Sequence, residues 1–120
     1  MNKGLIATLA CCGCLTLGTA AEARTSYDGV WNLVFVTQRG SCDPTYTFSV
    51  NVTDGVLTHP NLVKFRGNVA KSGVVHASVS VHEKYASGSG RLSGASGRGT
   101  WNGRAGSERC SGYWTAQRDQ

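Results

Sequence analysis

Apolar and polar side chains alternate along much of the chain with the two-residue period of a β-strand. The clearest example is 75–82, where valine and alanine alternate with serine and histidine. The same alternation covers 46–53, whereas 30–37 is an almost continuous run of β-branched and aromatic residues. Alternation predicts strands with one buried face, and the continuous run predicts a strand that is buried on both faces or has one face turned to a partner.

Turn signals separate these segments at the spacing of β-hairpins. Asp54-Gly55 is the strongest, because both residues of such a turn adopt positive φ. Proline cannot donate a ladder hydrogen bond, so His59-Pro60-Asn61 interrupts the strand that returns from this turn. Later strands are predicted at 62–70 (loosely, around Gly67), 75–82, 85–92, 97–102 and 110–118. Seven or eight short strands without helical period predict an all-β antiparallel meander that forms a closed or nearly closed barrel, or alternatively a β-sandwich.

Two cysteines favour the barrel over the sandwich. Cys42 follows the first predicted strand, and Cys110 begins the last one. In an up-and-down barrel these two strands pair antiparallel, so the end of one lies beside the start of the other and no free edge remains. A disulfide between Cys42 and Cys110 would fasten that seam and contribute about 4 kcal/mol through loop closure. A sandwich could also bring the cysteines together, and two free buried thiols are the competing interpretation.

Glycine and tryptophan share the predicted inward faces of the later strands. Short residues dominate one face of 85–92 and 97–102, while Trp31, Trp101 and Trp114 are bulky. Alternation of small and large side chains is typical of narrow barrels. A core filled by the three tryptophans is the favoured prediction, and a ligand cavity lined by them is the alternative.

The segment before the first strand has the pattern of a cleavable signal peptide at 1–23. Met1-Asn2-Lys3 precedes a long uncharged apolar run, and Ala21-Glu22-Ala23 matches the small-x-small cleavage pattern. We therefore expect cleavage before Arg24, export to the periplasm or the extracellular medium, and one mature domain at 24–120 that does not span a membrane. The alternatives are a retained membrane anchor and a lipoprotein modified at a cysteine of the run.

Basic residues outnumber acidic ones, 12 against 7, which gives a net charge of +5. Arginines concentrate in the last third of the chain, and Arg91, Arg98, Arg104 and Arg109 form a candidate anion-binding face. Its partner would be an anionic glycan or a lipid head group, and a surface that only confers solubility is the competing interpretation. A protein partner stays open, whereas predicted export and the lack of a nucleic-acid-binding module argue against nucleic acid.

No catalytic constellation is evident, so we expect a protein that is not an enzyme and takes no cofactor. His76 and His82 share a strand face but lie roughly 20 Å apart along it, too far to ligate one metal ion. The acidic residues are scattered, and only Asp43 and Glu108 could meet, because each neighbours one of the two cysteines. The serines occur in no Gly-x-Ser-x-Gly turn between a strand and a helix.

Short motifs resemble two groups of proteins. Gly-Ser-Gly-Arg-Leu-Ser-Gly at 88–94, Gly-Thr-Trp at 99–101 and Cys-Ser-Gly-Tyr-Trp-Thr-Ala at 110–116 are similar to a family of small exported proteobacterial proteins of unknown function. Gly29-Val30-Trp31 and Gly112-Tyr113-Trp114 resemble the Gly-x-Trp signature of calycin-type barrels, which include small periplasmic metalloprotease inhibitors with a single disulfide. Neither resemblance assigns a functional residue, and the predicted mature start lacks a protruding inhibitory arm.

Together these features predict an exported, non-enzymatic binding or inhibitory β-barrel module that acts through the barrel rim or the arginine face. The alternative is a structural or envelope-associated protein with no small-molecule ligand. Cell fractionation separates the two, because an envelope component should sediment with membranes or wall while a free binder should stay in the soluble fraction.

Overall fold

The protein folds into a single closed barrel of eight antiparallel strands in sequential order. The computed structural model describes residues 27–62 and 64–119, so the predicted leader at 1–23 lies outside the described residues. The strands are β1 (Gly29–Arg39), β2 (Thr45–Thr53), β3 (Val56–Thr58), β4 (Lys64–Val69), β5 (Val74–Val81), β6 (Lys84–Ser93), β7 (Ser96–Ala105) and β8 (Glu108–Arg118). The predicted all-β barrel is therefore confirmed. Within the described ranges there is no helix with the length and apolarity needed to cross a bilayer.

Pairing of the first and last strands closes the barrel. β1 pairs antiparallel with both β2 and β8, and its register with β8 places Trp31 opposite Arg118 and Phe35 opposite Trp114. A register shift between Thr37 and Arg39 marks a β-bulge near the end of this seam. Closure leaves neither terminal strand with an unpaired edge, which removes the template for edge-to-edge association.

The predicted disulfide is confirmed at the same seam. Cys42 lies in the loop after β1, Cys110 lies on β8, and the bond joins positions separated by 68 residues. The backbone amide of Cys42 also donates to Cys110 Sγ at 3.2 Å. The bond therefore ties the β1–β2 loop to β8, where the meander begins and ends.

One end of the barrel, which we call the closed end, is covered by side chains from the first and last strands. Trp31 is 1 % exposed, and the Arg118 guanidinium lies 5.2 Å from the centre of its ring. Arg118 donates to the carbonyl oxygens of Asp28 and Gly94, while Trp31 Nε1 donates to the Tyr27 carbonyl oxygen at 2.9 Å. These contacts join the start of β1, the end of β8 and the β6–β7 turn across the end of the barrel.

The opposite end, which we call the open end, carries the connections that follow β1, β3, β5 and β7. Three large side chains at this end are exposed: Tyr46 and Tyr85 at 43 % each and Val81 at 39 %. At the closed end, by contrast, the Trp31 ring is buried beneath the guanidinium of Arg118. The two ends of the barrel are thus chemically different.

Candidate functional site: an apolar cavity in the barrel

Short side chains form one wall of the barrel interior. The register aligns Gly67, Ala77 and Gly88 side by side across β4, β5 and β6. One step nearer the open end, Ala86 lies opposite Gly103 on β7. Because inward residues on neighbouring strands occupy a common level, these rows place few side-chain atoms on this side of the barrel interior.

Aromatic rings form the facing wall. Phe35 meets Phe48 edge-on with 6.4 Å between ring centres, and it meets Trp101 in the same manner at 6.3 Å. Phe48 also contacts Phe65 at 6.0 Å. Edge-to-face pairs at these separations are favourable arrangements of aromatic rings, so the rings support one another along the wall.

Between the two walls lies a cavity of about 370 Å³. Its lining is overwhelmingly apolar and draws side chains from every strand of the barrel. Trp31, Trp101 and Trp114 all belong to the buried core, and the same three side chains line this cavity, as the alternative expectation describes. The aromatic side chains are large enough to fill a narrow barrel, but their contacts hold them against the walls.

Each tryptophan is held by a specific contact. Trp31 is fixed at the closed end, and Trp101 Nε1 donates to the carbonyl oxygen of Val36 at 3.1 Å. Trp114 packs on the Gly90–Gly99 pair of β6 and β7. A Cβ atom on Gly90 would lie 2.5 Å from Trp114 Cζ2, and one on Gly99 would lie 2.7 Å from Cε2, so the ring needs both glycines.

Two charged side chains lie at the mouth of the cavity at the open end. Lys84 begins β6, and Arg104 lies near the end of β7. They are the charged residues in the cavity lining within the described part of the chain, and both are exposed. Sequence reasoning missed Lys84, because the residue looks like part of an ordinary turn. The alternation of β6 offered a signal for its position, since Lys84 lies on the same inward face of the strand as Ala86 and Gly88.

The loop after β3 borders the same mouth. The His59 ring stacks on Phe48 with 4.7 Å between centres and 16° between planes, and His59 Nδ1 accepts a hydrogen bond from the Asn61 amide. Leu62 lines the cavity beside them. The segment that proline predicts to break the strand therefore becomes part of the cavity entrance.

The predicted arginine face separates into two pairs on the outer surface. Arg91 lies directly opposite Arg98, and Arg104 lies directly opposite Arg109. Along β7 the two pairs are roughly 20 Å apart, so the four guanidinium groups do not converge on one anion. All four side chains are exposed.

Groups for metal binding or acid–base chemistry do not converge in the described ranges. They contain no cluster of three or more His, Cys, Asp and Glu side chains that could hold a metal ion. The buried residues are all apolar, and no buried side-chain nitrogen or oxygen lacks a hydrogen-bond partner in this part of the chain. Glu108 accepts a hydrogen bond from the Ser41 amide at 3.3 Å. The cavity is therefore the feature of the described chain best suited to bind a molecule.

Known proteins provide no functional assignment for this chain. No protein-family model, no curated protein and no solved structure matches this chain. What the barrel does must therefore be argued from its cavity, its mouth and the side chains that line them.

Proposed function

We propose that the mature protein is an exported, non-enzymatic binding module that holds a small apolar molecule inside the barrel. The observation that carries this proposal is the cavity of about 370 Å³ with its apolar lining. Ligand pockets commonly measure ~300–1,000 Å³ and are lined mainly by apolar and aromatic side chains. Export is part of the proposal, supported by the leader pattern at 1–23 and by the Cys42–Cys110 disulfide.

The size of the cavity suggests the size of the ligand. If each methylene group occupies the ~30 Å³ of a water molecule in the liquid, about a dozen carbon atoms would fit. Each buried methylene contributes about 0.8 kcal/mol, so a chain of that length gains substantial binding free energy. The aromatic wall of Phe35, Phe48, Phe65 and Trp101 offers contact area that is already in place.

The cavity also weighs against a purely structural role. Protein interiors are normally packed with few voids larger than a water molecule. Ala77 and Gly88 border this space with short residues, whereas a barrel needed only for rigidity would gain stability from a filled interior. Short residues on these two neighbouring strands are understandable if the space itself is used.

Titration with the neutral fluorophore N-phenyl-1-naphthylamine tests the proposal. We expect saturable binding with one site, a rise in probe fluorescence and energy transfer from tryptophan, because Trp101 and Trp114 line the cavity. Ala77→Phe places a ring in the cavity and should abolish binding. His76→Phe places the same ring on the exposed outer face of β5 and should leave binding unchanged.

The design separates lost folding from lost space. Val79→Phe, at the next inward position toward the mouth, is a second blocking variant if Ala77→Phe does not fold. Circular dichroism and the melting temperature show which variants retain the barrel. Absence of saturable probe binding to the wild-type protein, or equal binding by a folded Ala77→Phe variant, would refute the proposal.

A further inference from the structure

The charge in the cavity lining is confined to the mouth and has one sign. Between the closed end and the mouth, the inward-facing residues that line the cavity are apolar or glycine. Lys84 and Arg104, by contrast, lie where the cavity meets solvent. A ligand that is apolar throughout would leave these two cations without a contact. A ligand with an apolar body and an anionic end would match both parts of the lining.

Lys84 is placed to reach that end of the ligand. It lies between Val81 of β5 and Ala105 of β7 in the ladder, so two short or apolar residues flank it on the interior side. Alternate residues of a strand share a face, so Lys84 lies on the same inward face of β6 as Ala86 and Gly88. Those two residues line the cavity farther from the mouth. The long flexible stem of Lys84 can lie along the apolar wall while the ammonium group stays at the mouth.

Arg104 contributes a second cation from the neighbouring strand. It lies opposite Tyr85 of β6 in the ladder and borders the cavity from the outer side of the rim. Neither Lys84 nor Arg104 has a side-chain hydrogen bond or ion pair with another of the described residues. The acidic residues of this end, Asp43, Glu83 and Glu108, do not line the cavity, and Glu108 accepts a hydrogen bond from the Ser41 amide.

We propose that the ligand is a single-chain amphiphile whose hydrocarbon tail occupies the cavity and whose anionic head group is held at the mouth by Lys84, assisted by Arg104. This inference rests on the proposed function, because it assumes that the cavity binds an apolar chain. The geometry assigns a negative charge to the head group and places it at the open end. Carboxylate, sulfate and phosphate head groups all carry that charge.

The test compares three probes with the same twelve-carbon tail: dodecanoate, dodecanol and dodecyltrimethylammonium, each below its micelle concentration. Displacement of N-phenyl-1-naphthylamine from the wild-type protein should give dodecanoate the lowest dissociation constant and the cationic probe the highest. An ion pair at an exposed rim supports a preference for dodecanoate over dodecanol of roughly fivefold. The preference should shrink as salt is raised to 1 M, where charges are screened within about 3 Å. Dodecyl sulfate and dodecyl phosphate then rank the anionic head groups.

The matched variants locate the charge. Lys84→Gln should reduce the preference for dodecanoate over dodecanol, and Lys84→Gln with Arg104→Gln should remove this preference while dodecanol still binds. Lys64→Gln is the control, because Lys64 begins β4 at the same end of the barrel but does not line the cavity. The salt dependence of the wild-type protein provides an independent measurement if a variant does not fold.

The outcomes separate this inference from the proposed function. If dodecanol binds as tightly as dodecanoate, or if the preference persists in the folded double variant, the charge inference is overturned and the apolar cavity remains. If none of the three probes displaces the fluorophore and the fluorophore itself does not bind, the proposed function fails and this inference fails with it.

Discussion

The guanidinium of Arg118 lies 5.2 Å from the centre of the Trp31 ring and joins the last strand to the first at the closed end of the barrel. The same guanidinium donates to the carbonyl oxygens of Asp28 and Gly94. One side chain thus covers an indole and satisfies backbone groups from two separate segments. The contact closes one end of the barrel, which leaves the open end as the entrance to the cavity.

Replacement of Arg118 by alanine should destabilise the protein. The variant loses a cation–π contact and two hydrogen bonds, and it exposes an indole that is 1 % accessible in the native barrel. We expect a loss of about 1–3 kcal/mol in the free energy of unfolding, measured by urea denaturation. Arg66→Ala, on the exposed face of β4, is the control and should change stability little. Equal stability of the two variants would contradict a sealing role for Arg118.

Alanine at Gly99 should also destabilise the barrel, by overpacking. Its Cβ atom would come closest to the carbonyl oxygen of Ser89 and would lie 2.7 Å from both Gly90 Cα and Trp114 Cε2, so the strand and the indole must shift. Overpacking of this kind costs about 1–3 kcal/mol. Thr100→Ala, at the adjacent outward position, should be nearly neutral. Near-ultraviolet circular dichroism should change in Gly99→Ala alone, and an unchanged spectrum with full stability would show that Trp114 does not pack on this glycine pair.

Loss of the disulfide should lower stability substantially. The bond closes a loop between positions separated by 68 residues, for which chain entropy gives about 4 kcal/mol. The double variant Cys42→Ala with Cys110→Ala should therefore unfold at a much lower urea concentration than the oxidised protein. Reduction of the wild-type protein should produce the same shift. Two thiols that titrate in the untreated protein comprising 24–120, where Cys42 and Cys110 are the two cysteines, would contradict the bond.

The affinity for neutral alcohols should depend on chain length in a way that reports the cavity volume. Each added methylene contributes about 0.8 kcal/mol, which lowers the dissociation constant about fourfold. From hexanol upward, displacement of N-phenyl-1-naphthylamine should follow this slope until the chain fills the cavity at about a dozen carbons, after which the slope should flatten. A slope that is already flat at hexanol would mean that the chains do not enter the barrel.

Removal of one charge from the Arg91–Arg98 pair should stabilise the protein slightly. Like charges directly opposite on neighbouring strands repel, and both guanidinium groups are exposed. Arg98→Gln should raise the free energy of unfolding by a few tenths of a kcal/mol at low ionic strength, and the gain should vanish in 1 M salt. Lys71→Gln removes one positive charge from the β4–β5 turn and controls for net charge. A loss of stability in Arg98→Gln alone would contradict repulsion within the pair.

Local sequence pattern was sufficient for the strands, the Asp54-Gly55 turn and the disulfide. The turn residues have φ values of 52° and 80°, as a hairpin turn of this composition requires. Cys42 and Cys110 meet because the ends of a meander pair when the barrel closes. These features depend on residues that are near in the chain or on the two ends of the sheet, so a single sequence contains the necessary information.

The cavity and its mouth depended on the tertiary structure. The two-residue period of a strand assigns each side chain to one face of the sheet. A shift of two residues in the pairing register keeps every side chain on its face but changes the residue that lies opposite it on the neighbouring strand. The sequence by itself therefore determined that Ala77 points inward, whereas only the register aligned it with Gly67 and Gly88 and left space opposite the aromatic wall. The same register placed Lys84 at the entrance and divided the four arginines into two distant pairs.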